Sequence, residues 1–243
     1  MNVPPRTQGT STIYNSGRYL DGNIGWHEGD AYWKATRVHA LLSRMNVVPG
    51  SICDIGCGTG AILHHLGEMS GNSPSLTGFE ISRHCVDEIR KKRPSIEVVP
   101  IDASTYALRK FDLALVLDVV EHVEDYLGFM RSLHHLADLF IFHIPLDMSV
   151  QTVARSSPLT RSRSTIGHIH YFSYETALAS LEDAGFEIVE TAFTTGSPEY
   201  RGPSWRRGAV MTARSLTTRL IGQRLSARLL GGFSLLAAVR SVG

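Results

Sequence analysis

Apolar positions change their period several times along the chain, and each change marks an element. Ala31, Ala35, Val38, Leu42 and Met45 recur three or four apart, which predicts a helix from Asp30 that Pro49-Gly50 stops. Ser51 to Ile55 is a short apolar run before a glycine-rich turn and reads as a buried strand. From Gly60, Ile62, Leu66 and Met69 share one helical face. Leu76 to Ile81 is a second strand, followed by a helix capped by Ser82 or Asp87. Glu97 to Ile101 is a third strand. Phe111 to Leu117 is a fourth, as apolar as a central parallel strand must be. Tyr126, Phe129, Met130 and Leu133 mark another helix, and Leu139 to Ile144 a fifth strand that Pro145 closes.

This alternation predicts βαβ units: an α/β fold with a mostly parallel sheet and helices on both faces. Residues 146–172 break the rhythm with few helical signals, three Arg and two His, and read as a long functional loop. Ser173 then caps a helix that ends at Gly185. Phe186 to Phe193 is a sixth strand. Residues 196–231 read as an Arg-rich insertion, helical from about Met211, and Gly232 to Val239 as a closing strand. The first 30 residues, rich in Gly, Asn, Ser and Tyr up to His27, read as an arm or lid before a domain spanning 31–243.

Composition narrows the class. An apolar share of 43% and a charged share of 19% over 243 residues is a globular mix. No run of about 18 apolar residues predicts a membrane-spanning helix, and the N-terminus lacks the apolar core of a secretory signal. Cys53, Cys57 and Cys85 are too few for a disulfide framework, so a reducing, cytoplasmic setting is expected. Cys53 lies in a strand and Cys57 in a turn, so they do not converge as a zinc pair. The net charge of +1 hides an asymmetry. Residues 1–200 carry 16 Lys/Arg against 23 Asp/Glu, whereas residues 201–243 carry eight Arg and no acid. Such a tail folds back on the acidic body or meets nucleic acid, anionic lipid or an acidic substrate.

The candidate chemistry gathers at the strand ends. In Asp54-Ile55-Gly56-Cys57-Gly58-Thr59-Gly60, alternating glycines let the chain turn tightly and approach a ligand. Gly56, Gly58 and Ala61 also satisfy a dinucleotide fingerprint. Asp54 suits a cationic ligand group better than a pyrophosphate. Glu80 stands where an acidic side chain binds ribose hydroxyls, which fits either cofactor. Asp102-Ala103 and Asp118 end the third and fourth strands. Four carboxylates at consecutive strand ends line the edge where open α/β sheets bind ligands.

On the segment Asp54 to Gly60, Glu80, Asp102-Ala103 and the run Phe111-Asp-Leu-Ala-Leu-Val-Leu-Asp-Val-Val-Glu-His-Val123, the chain resembles the class I S-adenosylmethionine (SAM)-dependent methyltransferases over about 31–239. The resemblance implies a Rossmann-like, seven-stranded sheet with an antiparallel last strand. It implies that Asp54 and the loop of Gly56, Cys57, Gly58 and Gly60 hold the methionine part of SAM. Glu80 would hold the ribose and Ile81 an adenine face. Asp102 and Ala103 would meet the adenine edge, and Asp118 the amino-acid end. The arm with Trp26-His27 and Tyr32-Trp33 corresponds to that family's lid. The runs His143 to Asp147 and Gly167 to Ser173 resemble a bacterial group that tailors small molecules or glycans.

Methyl transfer to a hydroxyl needs an aligned acceptor and a base, most often His near neutral pH. Of eleven His, four can project to the sheet edge: His122, His143, His168 and His170. Asp118, Glu121 and His122, with His168 from the later loop, resemble the Glu-x-x-Glu-His set of metal-dependent methyltransferases, with Asp118 replacing Glu. The expectation is nonetheless an enzyme that needs SAM and no divalent metal. The expected acceptor is a hydroxyl of a small molecule or sugar. An RNA 2′-O-methyltransferase and a catalytically silent SAM-binding subunit are the alternatives. Against RNA, the chain lacks a separate RNA-binding module, no Lys follows Lys110, and the aromatics do not interleave with the basic run in a stacking pattern.

Overall fold

The computed structural model describes the backbone of residues 28–195 and 205–242, and the side chains of these outside 205–214. The arm, with Trp26 and His27, lies outside the described residues apart from its last three positions, which open α1. The elements are α1 (Glu28–Arg44), β1 (Ser51–Ile55), α2 (Ala61–Met69), β2 (Ser75–Phe79), α3 (Arg83–Lys92), β3 (Glu97–Val99), β4 (Phe111–Leu117), α4 (Tyr126–Ser132) and β5 (Ala137–Pro145). There follow α5 (Val150–Arg155), α6 (Ser157–Thr165), α7 (Tyr174–Asp183), β6 (Phe186–Thr195), α8 (Trp205–Leu230) and β7 (Phe233–Ser241).

Seven strands form one sheet in the order β3-β2-β1-β4-β5-β7-β6. β1 to β5 pair in parallel, and β7 runs antiparallel between β5 and β6. The expected Rossmann-like sheet is present. The apolar runs explain its middle. Along β1, β4 and β5, alternate residues feed two cores, Ile55, Val116 and Phe142 on one face and Ile52, Leu115 and Ile141 on the other. A strand buried on both faces must be apolar throughout. Met130 of α4 and Ala177 and Leu181 of α7 close the first face. Val38 and Leu41 of α1, Leu66 of α2 and Ile89 of α3 close the second.

Three expectations are corrected. Residues 146–172 are not one loop. Ser149 accepts from the Thr152 amide and Thr152 returns a bond to the Ser149 amide, a capping box that starts α5, and Pro158 stands in the first turn of α6. These are start signals without an apolar stripe behind them, which is why periodicity passes over them. The Arg-rich helix begins at Trp205, ahead of Met211, and kinks at Gly222 (φ 81°, ψ 164°). Ser82 is the residue before α3, but its side chain makes no capping bond, and Asp87 lies inside the helix.

Candidate active site

Parallel pairing brings the carboxyl ends of β1, β2, β4 and β5 to one edge, since Ile55 pairs with Phe79 and Val116, and Leu117 with His143. The loops leaving these ends form two groups of side chains.

The first group surrounds the glycine turn. Gly56, Gly58 and Gly60 all take left-handed φ (73°, 56° and 74°), which an L side chain adopts only under strain. Their amides have acceptors inside the protein. Gly56 and Cys57 donate to the Phe79 carbonyl (2.9 and 3.2 Å), Gly60 to the Cys57 carbonyl (2.9 Å), and Gly58 to Glu80 Oε2 (2.9 Å). The Cys57 thiol packs under Gly78, where an added β-carbon would come within 2.5 Å of it. A β-carbon on Gly56 would meet Val119 at 2.9 Å, whereas one on Gly58 would enter open space. The turn therefore offers close backbone approach at Gly58 more than hydrogen-bond donors.

Glu80 is 8% exposed, and its other oxygen accepts from the Ser82 amide at 2.8 Å. Burial raises its pKa, with the Ser82 and Gly58 amides opposing. Burial likewise pushes the Asp54 carboxyl up to about 8, assisted by Glu80 and opposed by Lys34. Two buried carboxyls whose charge is under-compensated fit a cationic ligand group. Ile81 stands 57% exposed beside them, free to cover a planar ring. Asp102 caps the following 3-10 turn by accepting from the Ser104 amide, and Ala103 is buried in it. The residues present thus fit SAM: acidic where it is cationic, apolar at Ile81 and open above Gly58.

The second group joins α1, β4, β5 and the segment 146–172. Asp118, at left-handed φ of 55°, accepts from Lys34 Nζ at 2.7 Å and His143 Nδ1 at 2.6 Å. His143 Nε2 meets the Thr194 hydroxyl at 2.8 Å. Lys34 also pairs with Asp30 at 3.1 Å. Burial opposes the Asp118 charge, but His143 and Lys34 outweigh it and hold the carboxyl well below its usual range. Burial likewise opposes the Lys34 ammonium, and Asp118 and Asp30 outweigh it, so Lys34 stays protonated. Both Asp118 oxygens therefore have partners within the protein. A shallow recess lined by Trp33, Arg37, Leu117 and Leu236 opens beside this network, with Arg37 stacked 5.5 Å from the Trp33 ring.

Next to it, Ile169 and His170 donate their amides to the Glu121 carbonyl (2.9 and 3.2 Å), which pins the segment after α6 against the turn after β4. That contact sets His168 beside Glu121 and His122. His168 Nδ1 donates to Asp147 Oδ2 at 2.6 Å, and its Nε2 lies 3.8 Å from Glu121 Oε1. The His122 ring stands edge-on to it at 5.0 Å and donates from Nδ1 to the Gly167 carbonyl at 3.1 Å. Glu121 is 1% exposed, and neither carboxyl oxygen has a hydrogen-bond partner. Burial, with Asp118 and Asp147 adding to it, raises its pKa well above the ordinary value. Glu121, His122 and His168 bring ligand atoms within 4.8 Å of one another, but Asp118 is not in that group, so the four-residue metal set is not assembled. His170 Nε2 is tied to the Val123 and Glu124 carbonyls (2.9 and 3.2 Å).

Lys34, Asp147 and Thr194 went unassigned by sequence reasoning. Asp30 and Lys34, four apart on a helix, carried the only advance signal, and such a pair reads as a solvated face. Nothing in the sequence pointed to Thr194.

Comparison with known proteins follows this geometry. Residues 26–191 match the family model described as a methyltransferase domain. Among curated proteins nothing matches. The chain is similar to the structure of magnesium protoporphyrin IX methyltransferase from Synechocystis PCC 6803 with bound S-adenosylhomocysteine (SAH), with TM-score 0.61, 18% identity, and 96% of this chain and 97% of that one covered. It is similar to 1,6-didemethyltoxoflavin-N1-methyltransferase of Burkholderia thailandensis, with TM-score 0.61, 14% identity, and 100% and 94% covered. The [4+2]-cyclase SpnF also shares the fold, at TM-score 0.61 and 16% identity over the whole of both chains.

Proposed function

The chain belongs to the class I SAM-dependent methyltransferases, and on that premise we propose that it moves the SAM methyl group to a hydroxyl of a small molecule or sugar. SAM supplies an electrophilic methyl on a sulfonium, taken by direct displacement. On the cofactor side, Glu80 accepts from the ribose hydroxyls, Asp54 offsets positive charge, and Ile81 covers an adenine face. Asp102 and Ala103 meet the adenine edge, and the turn Gly56 to Gly60 admits close approach. Asp118 is a positioning residue. It locks His143 and Lys34 at the ends of β5 and α1 and so shapes the recess at Trp33.

The carrying observation is the His168–Asp147 pair beside the unpartnered Glu121. With Nδ1–H given to Asp147, His168 is oriented with Nε2 as the atom that would take a proton, the arrangement of a general base held by a carboxylate. Both His143 nitrogens are bonded, and His170 is tied to backbone, so these two of the four candidates serve structure. His122 flanks the base. A hydroxyl must shed its proton as the new bond forms. A neutral amine attacks through a free lone pair and loses its proton to water afterwards. A buried carboxylate–histidine pair therefore favours the hydroxyl.

The expected result is that His168→Gln and His122→Gln bind SAH like the parent chain and lose turnover on a panel of hydroxylated small molecules and sugars. Full turnover in both variants would overturn the assignment. No turnover by the parent chain, with SAH bound, would favour the silent SAM-binding subunit.

A further inference from the structure

Helix α8 carries a surface that methyl transfer does not use. Leu216 (57% exposed), Leu220 (74%), Leu225 and Leu229 stand out on it, and Val150 and Val153 stand out on α5. The two helices pack together, and an added β-carbon on Gly231, at the end of α8, would come 2.7 Å from Ser149 Oγ at the start of α5. This clustering of large aliphatic side chains is more than the scattered exposure of an ordinary surface.

Arginine dominates the charge of the segments that carry it. Arg155, Arg161, Arg163 and Arg219 are exposed, and no acid lies between Asp147 and Glu175 or beyond Glu199. Glu175 engages only Arg224 and Arg228 (2.8 and 3.2 Å). Those bridges, with buried Ser226 and Ala227, fasten α8 after the Gly222 kink, whereas Leu216, Arg219 and Leu220 lie exposed before it. No helix among the described residues is long and apolar enough to cross a membrane.

Exposed aliphatics set among arginines, of which only Arg224 and Arg228 engage an acid, Glu175, fit a surface that is anionic outside and apolar just beneath, the boundary of a lipid bilayer. A nucleic acid asks instead for aromatic platforms, and the only aromatic residue of α8 is Trp205, at its start. A second copy of the same face would meet its own positive charge. We propose that α8, with α5 and α6, docks in the plane of a bilayer that carries anionic lipids. Because α6 ends two residues before Gly167, this surface adjoins the segment that carries His168.

The test uses the full chain with phosphatidylcholine vesicles, pure or with one-third phosphatidylglycerol. The expected result is co-sedimentation with the anionic vesicles alone, weakened several-fold as salt screens the arginines. Leu220→Glu combined with Leu225→Glu should abolish it while SAH titration stays as in the parent chain. Three results would overturn the proposal. One is no sedimentation with anionic vesicles. Another is sedimentation unchanged in the Leu220/Leu225 variant, which marks a purely electrostatic contact such as RNA would also make. The third is a stable dimer in light scattering that the same variant dissolves.

Discussion

The two halves of the ligand edge are built differently. Around β1 and β2, each contact joins residues close along one strand-turn-helix unit or adjacent strands: Gly58 with Glu80, Glu80 with Ser82, Asp102 with Ser104. Around β4 and β5, the Asp118–His143 and Asp30–Lys34 contacts are as local, but others span the fold: Lys34 with Asp118, His143 with Thr194, His168 with Asp147, Glu121 with Ile169. The first half holds its carboxyls against burial with backbone amides and leaves charge uncompensated. The second gives Asp118 the Lys34 ammonium and the His143 ring as partners and leaves both Glu121 carboxyl oxygens without a hydrogen bond. The account assigns cofactor recognition to the first half and proton handling to the second, so substitutions in each should separate.

The widest separation is expected at His168. His168→Gln should lower kcat by about 10²–10⁴, the usual worth of a positioned general base, with SAH affinity unchanged in calorimetry. A parallel fall in SAH affinity would merge the halves. Lys34→Met comes next. It removes the ammonium from a largely buried carboxylate, so it should cost about 2–3 kcal/mol, below the full penalty of a broken buried pair because the His143 hydrogen bond remains. For a chain of this size that is a fall of roughly 5–10 °C in Tm by scanning calorimetry. An unchanged Tm would contradict the charge network.

Asp54 supplies a pH test of the other half. Its folded carboxyl titrates near 8, above its unfolded value of 3.8. Stability of the ligand-free protein from this group is full below the unfolded value and is lost as pH rises from there toward 8. The ammonium group of SAH placed at Asp54 lowers the folded value, so SAH binding near pH 7 should release a proton. Calorimetry in two buffers of different ionisation enthalpy reads that release, and an identical apparent enthalpy in both would refute it. The smallest effect belongs to Ile81→Ala, which removes an exposed apolar cover and should weaken SAH by roughly fivefold, about 1 kcal/mol. A fold-change in KM for the acceptor without one for SAH would place Ile81 in the wrong half.

The same division decides what was legible in the sequence. The Asp54 to Gly60 turn, Glu80, Ile81 and Asp102 stand at fixed offsets from apolar runs, so period and turn chemistry locate them. Lys34, Asp147 and Thr194 acquire their roles only when α1, the end of β5 and the end of β6 meet. One residue type at one position carries no trace of such a meeting. Asp118 shows both sides: its place at the end of β4 was readable, its partners were not. The sequence places His122, His143, His168 and His170 at the edge alike, and the ring-nitrogen partners on which the proposed base is chosen come only from the fold. The acceptors of the Gly56 and Gly58 amides, on β2 and at Glu80, are likewise set by strand pairing.

The most direct test of the central claim offers the parent chain labelled-methyl SAM with paired small-molecule acceptors that differ only in bearing a hydroxyl or an amine. The account predicts label on the hydroxyl members. Label on the amine members alone would contradict it and leave the His168–Asp147 pair without the role assigned here.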